Sequence, residues 1–312
     1  MQLFRNDLSI NFMRWRWLAV VLSSLLVVLS LVLLLTRGLN WGLDFTGGTV
    51  LELSFAQAAN LDLLRQQLTQ AGYAEAVVQF FGSTHDVLVR LPSEAGAVQQ
   101  QVGDQVFRAL QAQSEVAMTL SRVEFVGPSV GEELKQDGGL AVLVALLGIL
   151  VYVGFRFEWR LSLGAVLSLA HDVILTLGLF SLLQLEFDLT VLAAILALIG
   201  YSINDTIVVF DRVREMFRKL RDETVLETIN QAITSTLNRT VITSLTTMLV
   251  LVVLFFKGGA LIHGFATALL FGIAVGTYSS VYVASGVAVL LGLSREDLLA
   301  PKPVSEQEEL QP

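Results

Sequence analysis

Six apolar stretches, each long enough to cross a lipid bilayer, constrain this chain more than any other feature of its sequence. A helix needs roughly 20 apolar residues to span about 30 Å of hydrocarbon. Only 15% of the residues are charged, against about a quarter in a soluble domain. The sequence therefore predicts an α-helical membrane protein with six transmembrane helices. The stretches cover residues 17–36, 138–155, 161–183, 189–210, 240–257 and 262–292.

Lysine and arginine are concentrated in alternate connections between these stretches. The N-terminal tail, 1–16, carries Arg5, Arg14 and Arg16, and five basic residues follow the fourth stretch between 212 and 221. The connection LLQLEFDL after the third stretch carries none. Because basic residues mark the cytoplasmic side of a membrane protein, both termini are predicted to be cytoplasmic.

The segment 37–137, between the first two stretches, is then predicted to be a folded domain on the outer side. TVLELSF alternates like a strand, and NLDLLRQQLTQAG begins with an Asn cap and ends at Gly72. Two further strands, AVVQFF and DVLVRL, precede a helix from about Ser93 to Ala112 and a last strand near AMTLSRVEFV. The order βαββαβ predicts a ferredoxin-like α+β domain, a fold that by itself does not decide function.

The remaining segments are predicted as a five-helix bundle over 138–292, with a cytoplasmic link and a tail. In the link, 211–239, Thr224 and Glu227 match a capping box that would begin an amphipathic helix on the inner membrane surface. A solvated connector is an equally open interpretation of the link. The acidic tail, 293–312, is predicted to be disordered.

Small residues recur at every fourth position of the sixth stretch and form a ridge that allows another helix to approach closely. Sliding of one bundle on another and static close packing both fit this pattern, and static packing is the interpretation that we favour. The first stretch, nearly all Leu and Val, is expected to face lipid. The centre of the ridge is formed by Gly272, Gly276 and Ser280.

Ionisable side chains lie at membrane depth in three of these stretches: His171 and Asp172 in the third, Asp205 in the fourth and Arg239 at the start of the fifth. An ionised group at this depth costs on the order of 2.5–3.5 kcal/mol, and such groups often mark ion pathways. Counted from the outer ends of their helices, Asp205 and Arg239 lie roughly 24 and 27 Å deep. Their similar depth on antiparallel helices predicts an interacting pair in which protonation of Asp205 releases Arg239.

Polar side chains accompany these charges and suggest one hydrated path lined by the third, fourth and fifth helices. Ser202 and Asn204 lie next to Asp205, and Thr243 and Thr246 lie on the face of Arg239. Other interpretations stay open. Arg239 can snorkel to the inner headgroups, the Asp205 pair can be a permanent ion pair, and Asp172 can relay protons or only support Asp205. For His171, a static hydrogen bond between helices is the favoured interpretation.

No sequence motif indicates an enzyme active site, a cofactor or metal site, or nucleic-acid binding. The sequence contains no GxxxxGK[ST], HExxH or GxSxG motif and no cysteine, so we expect no enzyme activity, cofactor or metal site. A net charge of −8 and the absence of a basic domain give no indication of nucleic-acid binding.

Five segments, in order, resemble the signature segments of the SecF family, membrane subunits of the bacterial SecDF protein-export complex. They are WGLDFTGGT (with Gly42, Asp44, Gly47 and Gly48), VGPSVGEEL (with Gly127 and Pro128), IGYSINDTIVVFDRVRE, NRTVITSLTT and GTYSS.

The resemblance implies half of a resistance-nodulation-division-like bundle in the bacterial inner membrane, with the outer domain in the periplasm. It implies use of the proton-motive force to promote polypeptide translocation, with SecD, the SecYEG channel, YajC and YidC as partners, and it places the family's essential Asp and Arg at Asp205 and Arg239. Two other functions stay open: a half-transporter for small molecules and a passive assembly subunit. The outer domain, likewise, can hold the translocating polypeptide or serve as a rigid spacer.

Overall fold

The computed structural model describes residues 10–92, 99–114, 116–220 and 222–298. Most of the predicted disordered tail, the first part of the N-terminal tail with Arg5, and the predicted helix start at Ser93 lie outside these residues. The described elements, in chain order, are a 3₁₀ turn Phe12–Trp15, α1 Arg16–Thr36, β1 Asn40–Trp41, α2 Leu43–Thr46, β2 Gly48–Phe55, α3 Leu61–Gln70, β3 Val77–Phe81, β4 Ser83–Leu91, α4 Gln99–Gln113, β5 Met118–Val126, α5 Pro128–Arg156, α6 Trp159–Leu183, β6 Glu186–Phe187, α7 Leu189–Lys219, α8 Val225–Lys257, α9 Ala260–Ser279, a π-helical turn Ser280–Ala284, α10 Ser285–Leu290 and α11 Arg295–Leu298.

Six of the described helical segments are long and apolar enough to cross a membrane, as predicted. They are α1, α5, α6, α7, α8 and the continuous run from α9 to α10. Helices α6 and α7 are the innermost, whereas α1, α5 and α8 expose most of their surface. The Leu and Val side chains of α1 are mainly exposed, and its buried positions are the small residues Ala19, Ser23 and Ser30. An exposed apolar surface of this kind suits contact with lipid.

The domain between α1 and α5, which we call the outer domain after its predicted position, contains a four-stranded antiparallel sheet in the order β3-β4-β2-β5. Its strands and helices follow one another as βαββαβ, and each pair of strands joined by a helix is separated in the sheet by a third strand. One face of the sheet packs against α3 and α4 around Leu51, Leu53, Val87 and Val89, none of which is exposed. Asn60 caps α3 through its side chain, as the sequence indicates.

Three helices extend beyond their predicted ends, and this corrects the predicted domain limits. Helix α5 begins at Pro128, inside the segment 37–137, because Pro at the first helical position favours a helix start. Helix α7 continues to Lys219, and α8 begins at Val225, so the link 211–239 is not a separate amphipathic helix. The capping box of Thr224 and Glu227 is present and begins α8 itself. No Gly or Pro interrupts the chain between Thr224 and Lys257, so nothing in the sequence ends that helix early.

Candidate functional site

Asp172, on α6, lies at the centre of a buried polar cluster where three helices meet. Its carboxylate is 1% exposed. Oδ2 accepts hydrogen bonds from Ser202 Oγ of α7 at 2.6 Å and from Ser279 Oγ, at the end of α9, at 2.8 Å. Oδ1 lies 2.9 Å from Nδ1 of His171. A carboxylate with three such partners is well satisfied, so Asp172 links α6, α7 and α9.

His171 extends this cluster toward α1. Its ring is buried beside the ring of Tyr278, with centroids 6.4 Å apart, and its Nε2 has no hydrogen-bond partner among the described residues. The hydroxyl of Tyr278 lies 3.0 Å from Ser23 Oγ of α1. Tyr278 and Ser279 were not among the predicted site residues, and the polar segment GTYSS was the only sequence signal for them.

The small-residue ridge makes room for this cluster. A Cβ atom at Gly276 would lie 3.2 Å from Ser202 Oγ and 3.4 Å from Asp172 Oδ2, and one at Gly272 would lie 2.4 Å from Cδ2 of Leu198. Helices α7 and α9 are therefore packed at close range along the ridge. Ser280 is buried and bonds to the carbonyl of Thr277. It begins the π-helical turn of the last span, and such turns are frequent at functional sites.

Asp205 lies three residues after Ser202 on α7 but has different surroundings. It is 4% exposed, and within the described ranges no hydrogen bond or ion pair to its carboxylate is observed. Arg239 of α8 is exposed and acts on Asp205 only through space, because the two are not within the 4.0 Å of an ion pair. Asp205 and Arg239, predicted to interact as a pair, are thus not in direct contact in this conformation.

The polar residues predicted to line one path fall into two groups. Ser202 belongs to the Asp172 cluster and not to Asp205. Asn204, Arg239 and Thr246 are exposed and Thr243 is half-buried, and the two threonine hydroxyls bond to carbonyls of their own helix. This surface, which we call the α7–α8 polar face, consists of Asn204, Arg239, Thr243 and Thr246. An arginine at such depth is costly against lipid, so the face requires a cover of protein or water.

The glycine-rich segment after α1 joins the outer domain to the bundle. Strand β1 pairs in parallel with β6, and the N–H of Gly42 donates to the carbonyl of Phe187 at 2.8 Å. Asp44 Oδ2 accepts the N–H of Leu189, the first residue of α7, at 2.9 Å, while Asp188 is the N-cap of that helix. Gly47 and Gly48 have φ values of +67° and +123°, which favour glycine. Gly127 is the N-cap residue of α5, and Pro128 follows it as the first residue of that helix.

Glu186, in the connection between α6 and α7, carries the charged part of this joint. It forms an ion pair with Arg90 of β4, and Arg90 also donates to the carbonyl of Trp41 at 3.0 Å. Burial raises the pKa of Glu186, the Arg90 guanidinium opposes this rise, and the nearby carboxylates of Asp188 and Asp44 add to it. We use the name α7 joint for Trp41, Asp44, Arg90 and Glu186.

Comparisons with known proteins agree with this architecture. Residues 105–294 match the family described as "Protein export membrane protein SecD/SecF, C-terminal", and residues 32–59 match the "SecD/SecF GG Motif". The chain is 52% identical over 301 residues to a protein translocase subunit SecF of Vibrio alginolyticus, with 96% of each chain covered. It is 50% identical over 293 residues to that of Escherichia coli O157:H7, covering 94% of this chain and 91% of the relative.

The chain is also similar to a solved structure, that of SecDF, a translocon-associated membrane protein from Thermus thermophilus. The TM-score is 0.84 at 40% identity, with 93% of this chain covered. The match spans 39% of the solved SecDF chain.

Proposed function

Because the chain belongs to the SecD/SecF family of protein-export membrane proteins, we propose that it is a SecF-type accessory subunit of the protein translocase. In this proposal it acts with a SecD partner and uses the proton-motive force to promote the translocation and release of polypeptides on the outer side. SecYEG, YajC and YidC are proposed as further partners. The proposal places the chain in the bacterial inner membrane, with cytoplasmic termini and the outer domain in the periplasm.

The observation that carries the proposal is the continuity of α7 between a buried acid and the outer domain. Asp205 lies sixteen residues after Leu189, roughly 24 Å along the helix axis. At Leu189 the first N–H of the helix donates to Asp44, and Glu186, three residues before it, pairs with Arg90 of the sheet. A displacement of α7 that follows a change of charge at Asp205 would therefore be transmitted to the outer domain through the α7 joint.

The two buried acids have different roles in this mechanism. Asp172 is held by donors from two other helices and acts as a positioning residue. Asp205 lacks such bonds and is the residue whose proton is exchanged. When it is charged, Asp205 attracts Arg239, and when it is protonated this attraction is lost, so the two states favour different positions of α7 relative to α8. A membrane potential of 100 mV supplies about 2.3 kcal/mol per charge moved.

The test is Asp205→Asn in the full chain, assembled with its SecD partner in energised membrane vesicles. We expect the proton-driven stimulation of polypeptide export to be lost while abundance and assembly stay normal. The matched control is Asp211→Asn on the same helix, whose carboxylate pairs with Arg156 at 2.8 Å near the cytoplasmic end. Proton-driven export that persists in Asp205→Asn at normal abundance would favour a passive assembly subunit instead.

A further inference from the structure

A cavity of about 200 Å³ opens between α5, α6 and α7 near the outer ends of these helices. Its walls are almost entirely apolar and include Phe45, Val173 and Leu192. Trp41 and Phe45 form part of an aromatic cluster with Phe187, which also lines the cavity. None of this volume is used by the two acid sites or by the ion pair of the α7 joint.

The position of the cavity places it in the outer leaflet. Val173 lies ten residues before the outer end of α6 at Leu183, roughly 15 Å along the helix, and Leu192 lies only three residues into α7. Gly139 of α5 lines the cavity and is exposed, and a Cβ built there would meet no atom within 4 Å. The cavity wall is therefore open at Gly139, on the exposed side of α5.

The single charged residue among those that line the cavity is Lys135. It lies one helical turn closer to the outer surface than Gly139, and its Nζ is 4.3 Å from the centroid of the Trp41 ring. Lys135 is exposed and forms no ion pair within 4.0 Å in the part of the chain that the structure describes. A Trp and a Lys together at this level are typical of a membrane interface.

From this arrangement we propose that the cavity binds one acyl chain of a phospholipid with an anionic headgroup. The chain lies against Phe45, Val173 and Leu192, and the phosphate is held by Lys135 beside Trp41. A water-soluble ligand would require converging polar groups in the cavity, and the walls offer almost none. The bound lipid touches the aromatic side of the α7 joint, so this inference goes beyond the export function and does not depend on it.

The test uses quenching of Trp41 fluorescence by brominated lipids in vesicles. Trp15, Trp17 and Trp159 are replaced by Phe in the full chain, which leaves Trp41 as the reporter. Vesicles contain phosphatidylcholine with phosphatidylglycerol, and either lipid carries the bromine on its acyl chains. At equal mole fraction, brominated phosphatidylglycerol is expected to occupy the site about fivefold more readily, the ratio that corresponds to roughly 1 kcal/mol for one Lys near the surface.

Two pairs of variants separate the headgroup from the acyl chain. Lys135→Gln should abolish the preference for phosphatidylglycerol, whereas Lys257→Gln, also an exposed lysine at the outer end of a span, should keep it. Gly139→Leu should reduce quenching by both lipids, because the side chain fills the opening. Gly148→Leu, at another open and exposed position of α5, should not.

Three results would overturn the proposal. Equal quenching by both lipids, unchanged in Lys135→Gln, would rule out anionic selectivity. No quenching of Trp41 above that of a water-exposed indole standard would show that lipid does not enter. Quenching that disappears when a SecD-type subunit is added at normal lipid content would assign the cavity to a helix of that partner.

Discussion

At the scale of single residues, the two buried acids should respond differently to removal of their charge: only Asp172→Asn should destabilise the fold. Asp172→Asn replaces one acceptor oxygen by an amide that faces a hydroxyl or imidazole donor, and we expect a loss of about 1–3 kcal/mol in the free energy of unfolding. Asp205→Asn loses no hydrogen bond from within the described chain and removes a buried charge, so stability should stay the same or rise. Thermal unfolding of both variants in detergent checks this, and equal destabilisation by the two would contradict it.

Glu186 is expected to make the stability of the fold decrease as the pH rises. Because its pKa is raised by burial above the ordinary value near 4.5, the folded protein holds this proton to higher pH than the unfolded chain does. The carboxyl therefore contributes most to stability below pH 4.5, and this contribution is lost as the pH rises through the folded-state pKa. The stability of the wild type relative to Glu186→Gln should decrease across this window.

Asp86 of the outer domain provides a control of the opposite sign. Hydrogen bonds from the hydroxyls of Ser83 and Ser54 lower its pKa from the ordinary value of 3.8. The stability of the wild type relative to Asp86→Asn should therefore increase with pH from below that value. Unfolding midpoints measured over about pH 3 to 7.5 in detergent test both residues, and a rising difference for Glu186→Gln would contradict its assignment.

At the scale of the elements, close packing between α7 and α9 should limit side-chain size along the ridge. Gly272→Val places methyl groups where Leu198 already lies, so we expect a destabilisation of about 1–3 kcal/mol. Leu198→Ala in the same chain should restore part of the loss. As a control, Gly200→Ala at an open and exposed position of α7 should be neutral or stabilising by up to about 1 kcal/mol. Additive effects of Gly272→Val and Leu198→Ala would contradict direct packing.

The helices themselves could be predicted from the sequence, but their ends and mutual contacts could not. Apolar length located all six spans, and the capping box at Thr224 located the true start of α8, although the apolar stretch begins only at 240. The membrane boundary does not end a helix, because backbone hydrogen bonds continue into water. The sequence alone therefore predicted a separate link at 211–239. In the structure this segment consists of an extension of α7 and an extension of α8.

The candidate site was predicted by residue type and only partly by arrangement. The positions of Asp172 and Asp205 within apolar helices predicted that both side chains are buried, and both are. These positions did not indicate that Ser202 turns toward Asp172, because that depends on the rotation of α7 against α6. Ser279 lies 107 positions from Asp172 in the chain, and no local pattern connects them.

At the scale of the whole molecule, the α7–α8 polar face indicates that the isolated chain is incomplete in a membrane. Asn204, Arg239 and Thr246 are exposed at positions predicted to lie within the hydrocarbon, and lipid would not cover them favourably. A pseudo-symmetric second half of the transporter-like bundle would provide the cover. We therefore expect a SecD-type subunit to bury this face on assembly.

Cysteine labelling can check this directly, since the chain has no native cysteine. Asn204→Cys and, on the exposed surface of α5, Leu147→Cys should both react with a maleimide in the detergent-solubilised chain. Addition of the SecD-type subunit should slow the reaction at position 204 several-fold, because a partner helix then excludes the reagent, and leave position 147 unchanged. Equal rates at position 204 with and without an assembled partner would mean that the face is covered by water and not by protein, and that the Arg239 guanidinium is reached from a hydrated cavity.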